Sequence, residues 1–177
     1  MSTRQYLLSG FGGQGILFAG KFLAYQGLIE GKKISWLPSY GPEMRGGTAN
    51  CNVIVSDDDI GSPIVSRPDV LVVMNLPSFD KYEKTVVPGG KIFVDSTLIN
   101  RKSERTDVDV YYVPATQMAM DMGMPTLANM ILLGAVIAKT GCINPDSLAE
   151  ALHKVLPARK ANLFDANMKA LQAGMDF

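Results

Sequence analysis

The sequence predicts an α/β protein, and three observations carry that reading. Short apolar runs of strand length, such as Tyr6-Leu7-Leu8 and Val70 to Met74, alternate with stretches of helical periodicity. The runs are continuous rather than alternating, as in strands of a largely parallel sheet covered on both faces. Beyond Val113 every segment has a helical pattern.

Taken in order, Tyr6 to Leu8 is a buried strand that stops at Ser9-Gly10. Gln14 to Glu30 is a helix, and Gly31 ends it because glycine accepts the left-handed conformation at a helix C-terminus. Lys33 to Leu37 is a second strand, followed by a glycine- and proline-punctuated loop over Pro38 to Gly47. Thr48 to Val55 is a strand, and Asp57 to Pro63 a turn. Val70 to Met74 is a strand, Phe79 to Val86 a short helix, and Pro88-Gly89-Gly90 a turn. Lys91 to Val94 and Val110 to Val113 complete the strands. The helices Ala115 to Met122, Thr126 to Thr140, Pro145 to Leu156 and Ala161 to Ala173 follow. These elements predict a Rossmann-like, mostly parallel sheet flanked by helices, with a helical C-terminal part, and residues 1–177 as a single domain. The chemistry is expected in loops at the carboxyl edge of the sheet.

The first helix carries two apolar stripes. Ile16, Ala19, Gly20, Leu23, Ala24 and Gly27 are mostly small and let the helix sit close to a sheet. Phe18, Phe22, Tyr25 and Ile29 form the second. A surface helix needs one apolar face, so two faces predict burial on both sides, within the domain or against a partner. Leu127 to Ala138 is apolar all round and predicts a central packed helix.

The 177 residues carry 17 Lys+Arg against 17 Asp+Glu and are 47% hydrophobic, which rules out a disordered chain. No basic excess exists to neutralise phosphates, so no nucleic-acid partner is expected. A low-charge surface resists association weakly, as suits a subunit. Cys51 and Cys142 form no C-x-x-C, so neither a zinc ribbon nor a cysteine-held iron–sulfur cluster fits. Sparse thiols suit a reducing compartment. The N-terminus lacks the apolar core of a secretory signal. The longest near-apolar run, Met130 to Ala138, is shorter than the ~20 residues that cross a bilayer. A cytoplasmic protein without a membrane partner is expected.

Two motifs could carry chemistry. Gly10-Phe11-Gly12-Gly13-Gln14-Gly15 fits G-x-G-x-x-G between a strand and a helix. Free amides at a helix N-terminus attract anions, although the glycines could equally serve close strand–helix packing alone. A nicotinamide site also needs an acidic residue after the second strand. Ile34 to Pro38 contains none, which disfavours NAD. The second motif, Ser39 to Thr48, holds Tyr40, Gly41, Pro42, Glu43, Arg45, Gly46 and Gly47. Its forked guanidinium can pair with Glu43, or with a carboxylate or phosphate from elsewhere. Asn75, Asp95 and Ser96 each follow a strand and are candidates for a pocket edge. Asp57 to Asp59 form a solvated turn rather than a metal site. His153, the only histidine, is not expected to be catalytic. No G-x-S-x-G, Walker loop or H-E-x-x-H is present, so hydrolase and triphosphatase readings lack support.

The segments GFGGQGILFAGKFLA, SYGPEMRGGTANCNVIVSD and DVLVVMNLPSFDKYEKTVVPGGKIFVDSTLI together resemble the gamma subunit of 2-oxoacid:ferredoxin oxidoreductases, from Gly10 to about Gly141. The resemblance implies an enzyme of the EC 1.2.7 class that converts a 2-oxoacid and coenzyme A to acyl-CoA and carbon dioxide while reducing ferredoxin. It implies thiamine diphosphate with Mg2+ and iron–sulfur clusters, which carry the reactive chemistry. Such enzymes hold the diphosphate with a G-D-G motif, and none occurs here. This chain is therefore expected to bind no cofactor alone and to have no catalytic residue. It would pack against alpha and beta subunits, with a delta subunit in some assemblies, and help form the active-site entrance. The Gly12 to Gly15 and Gly41 to Gly47 segments are expected at that contact, with Arg45 meeting a coenzyme A phosphate or an acidic partner group. The second loop looks most like that of subunits for 2-oxoglutarate or branched-chain 2-oxoacids. The competing reading is a stand-alone Rossmann-type nucleotide-binding protein or dehydrogenase.

Overall fold

The structure, a computed structural model, describes residues 2–39 and 48–177. Its strands are β1 (Thr3–Phe11), β2 (Lys33–Ser39), β3 (Thr48–Ser56), β4 (Val70–Val73), β5 (Lys91–Asp95) and β6 (Asp109–Val113). Its helices are α1 (Ile16–Ile29), α2 (Leu76–Tyr82), α3 (Ala115–Asp121), α4 (Ala128–Thr140), α5 (Leu148–Val155) and α6 (Phe164–Met175). The strands form one sheet in the order β2-β3-β1-β4-β5-β6. β4, β5 and β6 extend β1 in parallel, whereas β3 runs antiparallel to both β1 and β2.

The mostly parallel sheet agrees with the sequence, with β3 as the reversed strand. A parallel crossover needs a dozen or more residues, and the 40–47 connection is shorter. β2 and β3 are therefore antiparallel neighbours. β1 is longer than its apolar run, because β3 pairs with it from Thr3↔Ser56 to Phe11↔Thr48. α2 begins at Leu76, earlier than the apolar pattern suggests, because the Asn75 side chain accepts from the Ser78 amide at 2.8 Å and caps it.

Two apolar layers cover the sheet. The larger lies under α1 and the C-terminal helices and contains Phe22, Leu23, Phe93, Met130, Ile131 and Leu132. The smaller lies on the other face and contains Leu71, Phe79, Ile92 and Val94. Burying each such side chain contributes about 1.5–3 kcal/mol. Both stripes of α1 are accommodated within this chain. The small stripe presses on β2 and β3, where Gly20 lies over Cys51 and Trp36. In the other stripe Phe22 is fully buried, and Phe18, Tyr25 and Ile29 are half-buried against the same core. α4 is buried from Ala128 to Ile137, as its all-round apolarity predicts. It crosses α6 at Gly134 and Gly174, each of which faces backbone of the other helix.

Candidate functional site

The chain passes from β1 toward β2 and β3 on one side and toward β4, β5 and β6 on the other. The carboxyl end of β1 is therefore a topological switch point, where open α/β sheets form ligand crevices. The G-x-G-x-x-G turn sits there. Gly15 has a left-handed φ of 76° and caps α1 without a side-chain bond. The Ala19 amide makes a 3.0 Å bond to the Gly15 carbonyl, so the Ile16, Leu17 and Phe18 amides precede the first intrahelical bond. No acidic residue lies in the first turn of α1, which leaves the positive end of its dipole without a local counter-charge. Gly13, at φ 91°, has nothing within 4 Å of where a Cβ would stand.

Gln14 is committed to the turn itself. Its Oε1 accepts from the Phe11 amide at 2.6 Å and its Nε2 donates to the Met74 carbonyl at 3.0 Å. The side chain thus ties the ends of β1 and β4 together and supports the loop. Asn129 supports the turn from α4, donating from Nδ2 to the Gly15 carbonyl at 3.0 Å.

The other candidates also serve the backbone. Asn75 is buried and caps α2. Asp95 is fully buried. Its Oδ1 accepts from the Thr97 amide at 3.2 Å and the Thr116 amide at 3.3 Å, and its Oδ2 from the Thr116 hydroxyl at 2.6 Å. It therefore joins the end of β5 to the start of α3. Ser96, half-buried, donates its amide to Val113 at 2.9 Å. Tyr40, Gly41, Pro42, Glu43, Arg45, Gly46 and Gly47 lie outside the described residues. Ser39 and Thr48, which flank them, stand at the carboxyl edge, since Thr48 pairs with Phe11 and Ser39 with Asn50.

Two clefts adjoin the glycine turn. One is mainly apolar, lined by Phe11, Gly12, Leu17, Phe18 and Ala49. The other, about 370 Å³, lies toward α4 and α6 and includes Asn129, Asn167 and Lys160. Asn129, Asn167 and Lys160 were not singled out by the sequence reading. A lone asparagine inside the apolar run of α4 is the one signal that marks Asn129. Asp57 is engaged by Lys32 and the Ser2 amide, and Asp59 by Lys33 at 3.6 Å, as ordinary surface pairs. His153 stacks on Phe164 with ring centroids 4.1 Å apart. Burial pushes the Cys51 thiol up to about 12, which makes it a poor metal ligand. Among the described residues no group of three or more His, Cys, Asp or Glu side chains could hold a metal ion.

These features define an open, Rossmann-like α/β domain. It has a glycine turn and a helix N-terminus at the switch point, and no acidic residue on β2 for a ribose. The chain belongs to the pyruvate ferredoxin/flavodoxin oxidoreductase family, whose pattern it matches over residues 5–177. It is 41% identical over 172 residues to ketoisovalerate oxidoreductase subunit VorA of Methanothermobacter thermautotrophicus, covering 96% of this chain and 35% of that one. It thus spans about a third of the length of that relative. It is 36% identical over 157 residues to 2-oxoglutarate synthase subunit KorC of Methanocaldococcus jannaschii, covering 87% of this chain and 84% of that one. The solved gamma subunit of a keto/oxoacid ferredoxin oxidoreductase from Geobacter sulfurreducens superposes with a TM-score of 0.84 at 30% identity. That match covers 98% of this chain and 96% of the other. No described helix is long and apolar enough to cross a membrane.

Proposed function

We propose that this chain is the gamma subunit of a 2-oxoacid:ferredoxin oxidoreductase. The complex would convert a 2-oxoacid, coenzyme A and two oxidised ferredoxins to acyl-CoA, carbon dioxide, two reduced ferredoxins and a proton. The near full-length match to a solved gamma subunit carries this reading. In it, residues 1–177 act as one domain in the cytoplasm, where both cysteines stay reduced.

The chain's own residues do not fit thiamine diphosphate or an iron–sulfur cluster. It has no G-D-G, and one of its two cysteines is a buried, high-pKa thiol. Thiamine diphosphate, Mg2+ and the clusters therefore belong to alpha, beta or delta partners, and no catalytic step is assigned to this chain. The glycine turn fits a phosphate-bearing ligand better: the free amides of α1 and the open space at Gly13 let an anion approach the backbone. Coenzyme A supplies the thiol that takes up the acyl group. In this reading the turn and the 40–47 segment orient its phosphates at the entrance formed with the partners. Asn75, Asp95 and Ser96 shape that edge from beneath by fixing α2 and α3.

Arg45 is the residue to test. Arg45→Ala in the reconstituted complex is expected to raise the KM for coenzyme A, or to weaken assembly if the guanidinium meets an acidic partner group. An unchanged KM together with unchanged assembly would refute the role given to this loop.

A further inference from the structure

The connection from β5 to β6, residues 96–108, contains no α-helix, although a parallel crossover is usually made by one. So long a connection without secondary structure of its own is uncommon in a compact domain. Near its ends, Ile99 is buried in the smaller apolar layer and Val108 packs half-buried against that layer. Between them, Asn100 to Asp107 contains no apolar residue. Burial alternates from Asn100 to Thr106, as along an extended chain. Arg101, Ser103 and Arg105 are half-buried, while Asn100, Lys102, Glu104 and Thr106 are exposed. The inward face of this segment is thus wholly polar, yet Arg101 lies 4.1 Å from the ring centroid of the fully buried Phe79, and Lys102 lies 3.7 Å from that of Tyr112.

All three inward side chains converge on Glu83, which is buried in the helical turn Glu83–Thr85 after α2. Its Oε2 accepts from Arg101 Nη2 at 2.7 Å, its Oε1 from the Ser103 hydroxyl, and its backbone carbonyl from Arg105 Nη1 at 2.9 Å. Arg105 Nη1 also donates to the Val86 carbonyl at 2.7 Å, Arg101 Nε to Asp80 Oδ1 at 2.9 Å, and the Ser103 amide to the Tyr112 hydroxyl at 2.8 Å. At the far end the Asp107 carbonyl accepts from the Gly89 amide at 2.7 Å and fixes the segment before β6. A segment with few buried apolar contacts opens at a lower free energy than the core. We propose that Asn100 to Thr106 form a detachable strap, latched at Glu83 and held at its ends by Ile99 and Asp107, whose release uncovers Phe79 and Tyr112 while the sheet stays folded. Loss of the one carboxylate frees Arg101 and Ser103 together, which makes the latch a single electrostatic contact point. The bonds of the strap run to α2, to the residues just after it and to β6. Its opening therefore leaves the glycine turn intact, and the device stands independently of the subunit reading.

Trypsin reads this opening, because Arg101 and Lys102 are cleavage sites that must leave the surface to enter the protease. In brief digestion of the folded full chain, mapped by mass spectrometry, cuts after these two residues are expected before any cut after Lys21 in α1 or Lys91 in β5. The Lys91 backbone is paired on both sides, with Val70 and Asp109, and yields only on global unfolding. Where opening is fast relative to cleavage, cutting tracks the open population. Glu83→Gln is therefore expected to speed the strap cuts at least tenfold, still without cuts at Lys21 or Lys91. Arg101→Lys keeps the charge and the trypsin site but loses the forked contact. It is expected to act in the same direction, and it replaces Glu83→Gln should that variant unfold. Strap cuts that appear only together with those at Lys21 and Lys91 would show that the segment opens with the whole domain, and would overturn the strap. Strap cuts at equal rates in the unaltered chain and in the variants would overturn the latch.

Discussion

Replacing Gly15 with alanine tests the central claim about the turn, that its shape is held by both backbone conformation and contact with α4. At φ 76° an L side chain is strained, by about 1–2 kcal/mol for a left-handed residue. The new Cβ would also stand 2.8 Å from Asn129 Cγ, and forced overpacking of that kind costs about 1–3 kcal/mol. Together these predict a loss of roughly 2–5 kcal/mol. At about 2–4 °C per kcal/mol for a domain of this size, Tm should fall by about 4–20 °C. Gly31 provides the control: its φ is 74°, yet nothing lies within 4 Å of its Cβ position. Gly31→Ala should show the conformational cost alone. In an Asn129→Ala background, the cost of Gly15→Ala should fall to that of Gly31→Ala, because neighbouring sites are not additive when one relieves the other. Thermal and denaturant unfolding of the purified chains measures all of these. Equal losses at Gly15 and Gly31, or no relief from Asn129→Ala, would refute the claim that Asn129 packs against and holds the turn.

Three further outcomes are expected. Gly174→Ala should lower stability by about 1–3 kcal/mol or more, since its Cβ would press on the Ile131 carbonyl and lie 3.0 Å from the Ala135 amide, both backbone atoms with little room to yield; an unchanged denaturation midpoint would contradict the close α4–α6 crossing. Burial pushes the Glu83 carboxyl up, but hydrogen bonds from Arg101 and Ser103 outweigh it and hold the group below the usual carboxylate range. Its stabilisation is therefore full above the unfolded value of about 4.3 and is lost as pH falls through the lower folded value. Glu83→Gln should thus cost Tm at pH 7 and progressively less as the pH falls below about 4.3, and a difference that does not change with pH would show that the ion pair is not the cause. Cys51, its thiol pushed up to about 12 by burial, should resist a thiol reagent at pH 8 until the chain unfolds. Labelling at Cys51 in the native chain, mapped by mass spectrometry, would count against that burial.

Much of the fold was legible because its signals are local. The continuous runs at Val70 to Val73 and Lys91 to Asp95 are strands, and of the two stripes of α1 the small one is buried and the other packs half-buried around Phe22. The ends of elements were less legible. β1 extends to Thr3 and Phe11 because β3 supplies ladder partners there, and α2 starts early because Asn75 caps it. At the candidate site, the position of the glycine turn was legible, since strand–glycine–helix is a contiguous pattern. The roles of single polar side chains were not. Gln14, Asn75 and Asp95 have the chemistry of ligand-binding groups, and nothing in the local sequence shows that Gln14 bonds to the Met74 carbonyl, Asn75 Oδ1 to the Ser78 amide and Asp95 to Thr116.

By itself the sequence determined the α/β class, the glycine turn at a helix start, the family likeness, and the lack of a G-D-G motif or a cysteine set. Composition and contiguous spacing suffice for each of these. Only the tertiary structure decided the strand order, the reversal of β3 and the partial covering of the second stripe of α1 within the chain. Each depends on which distant segments become neighbours. Met74 and Gln14, Asp95 and Thr116, and Gly15 and Asn129 are joined by hydrogen bonds across wide gaps in sequence. A buried polar group must find a partner in space, and the periodicity of a segment records which of its faces is apolar, not what will lie against that face.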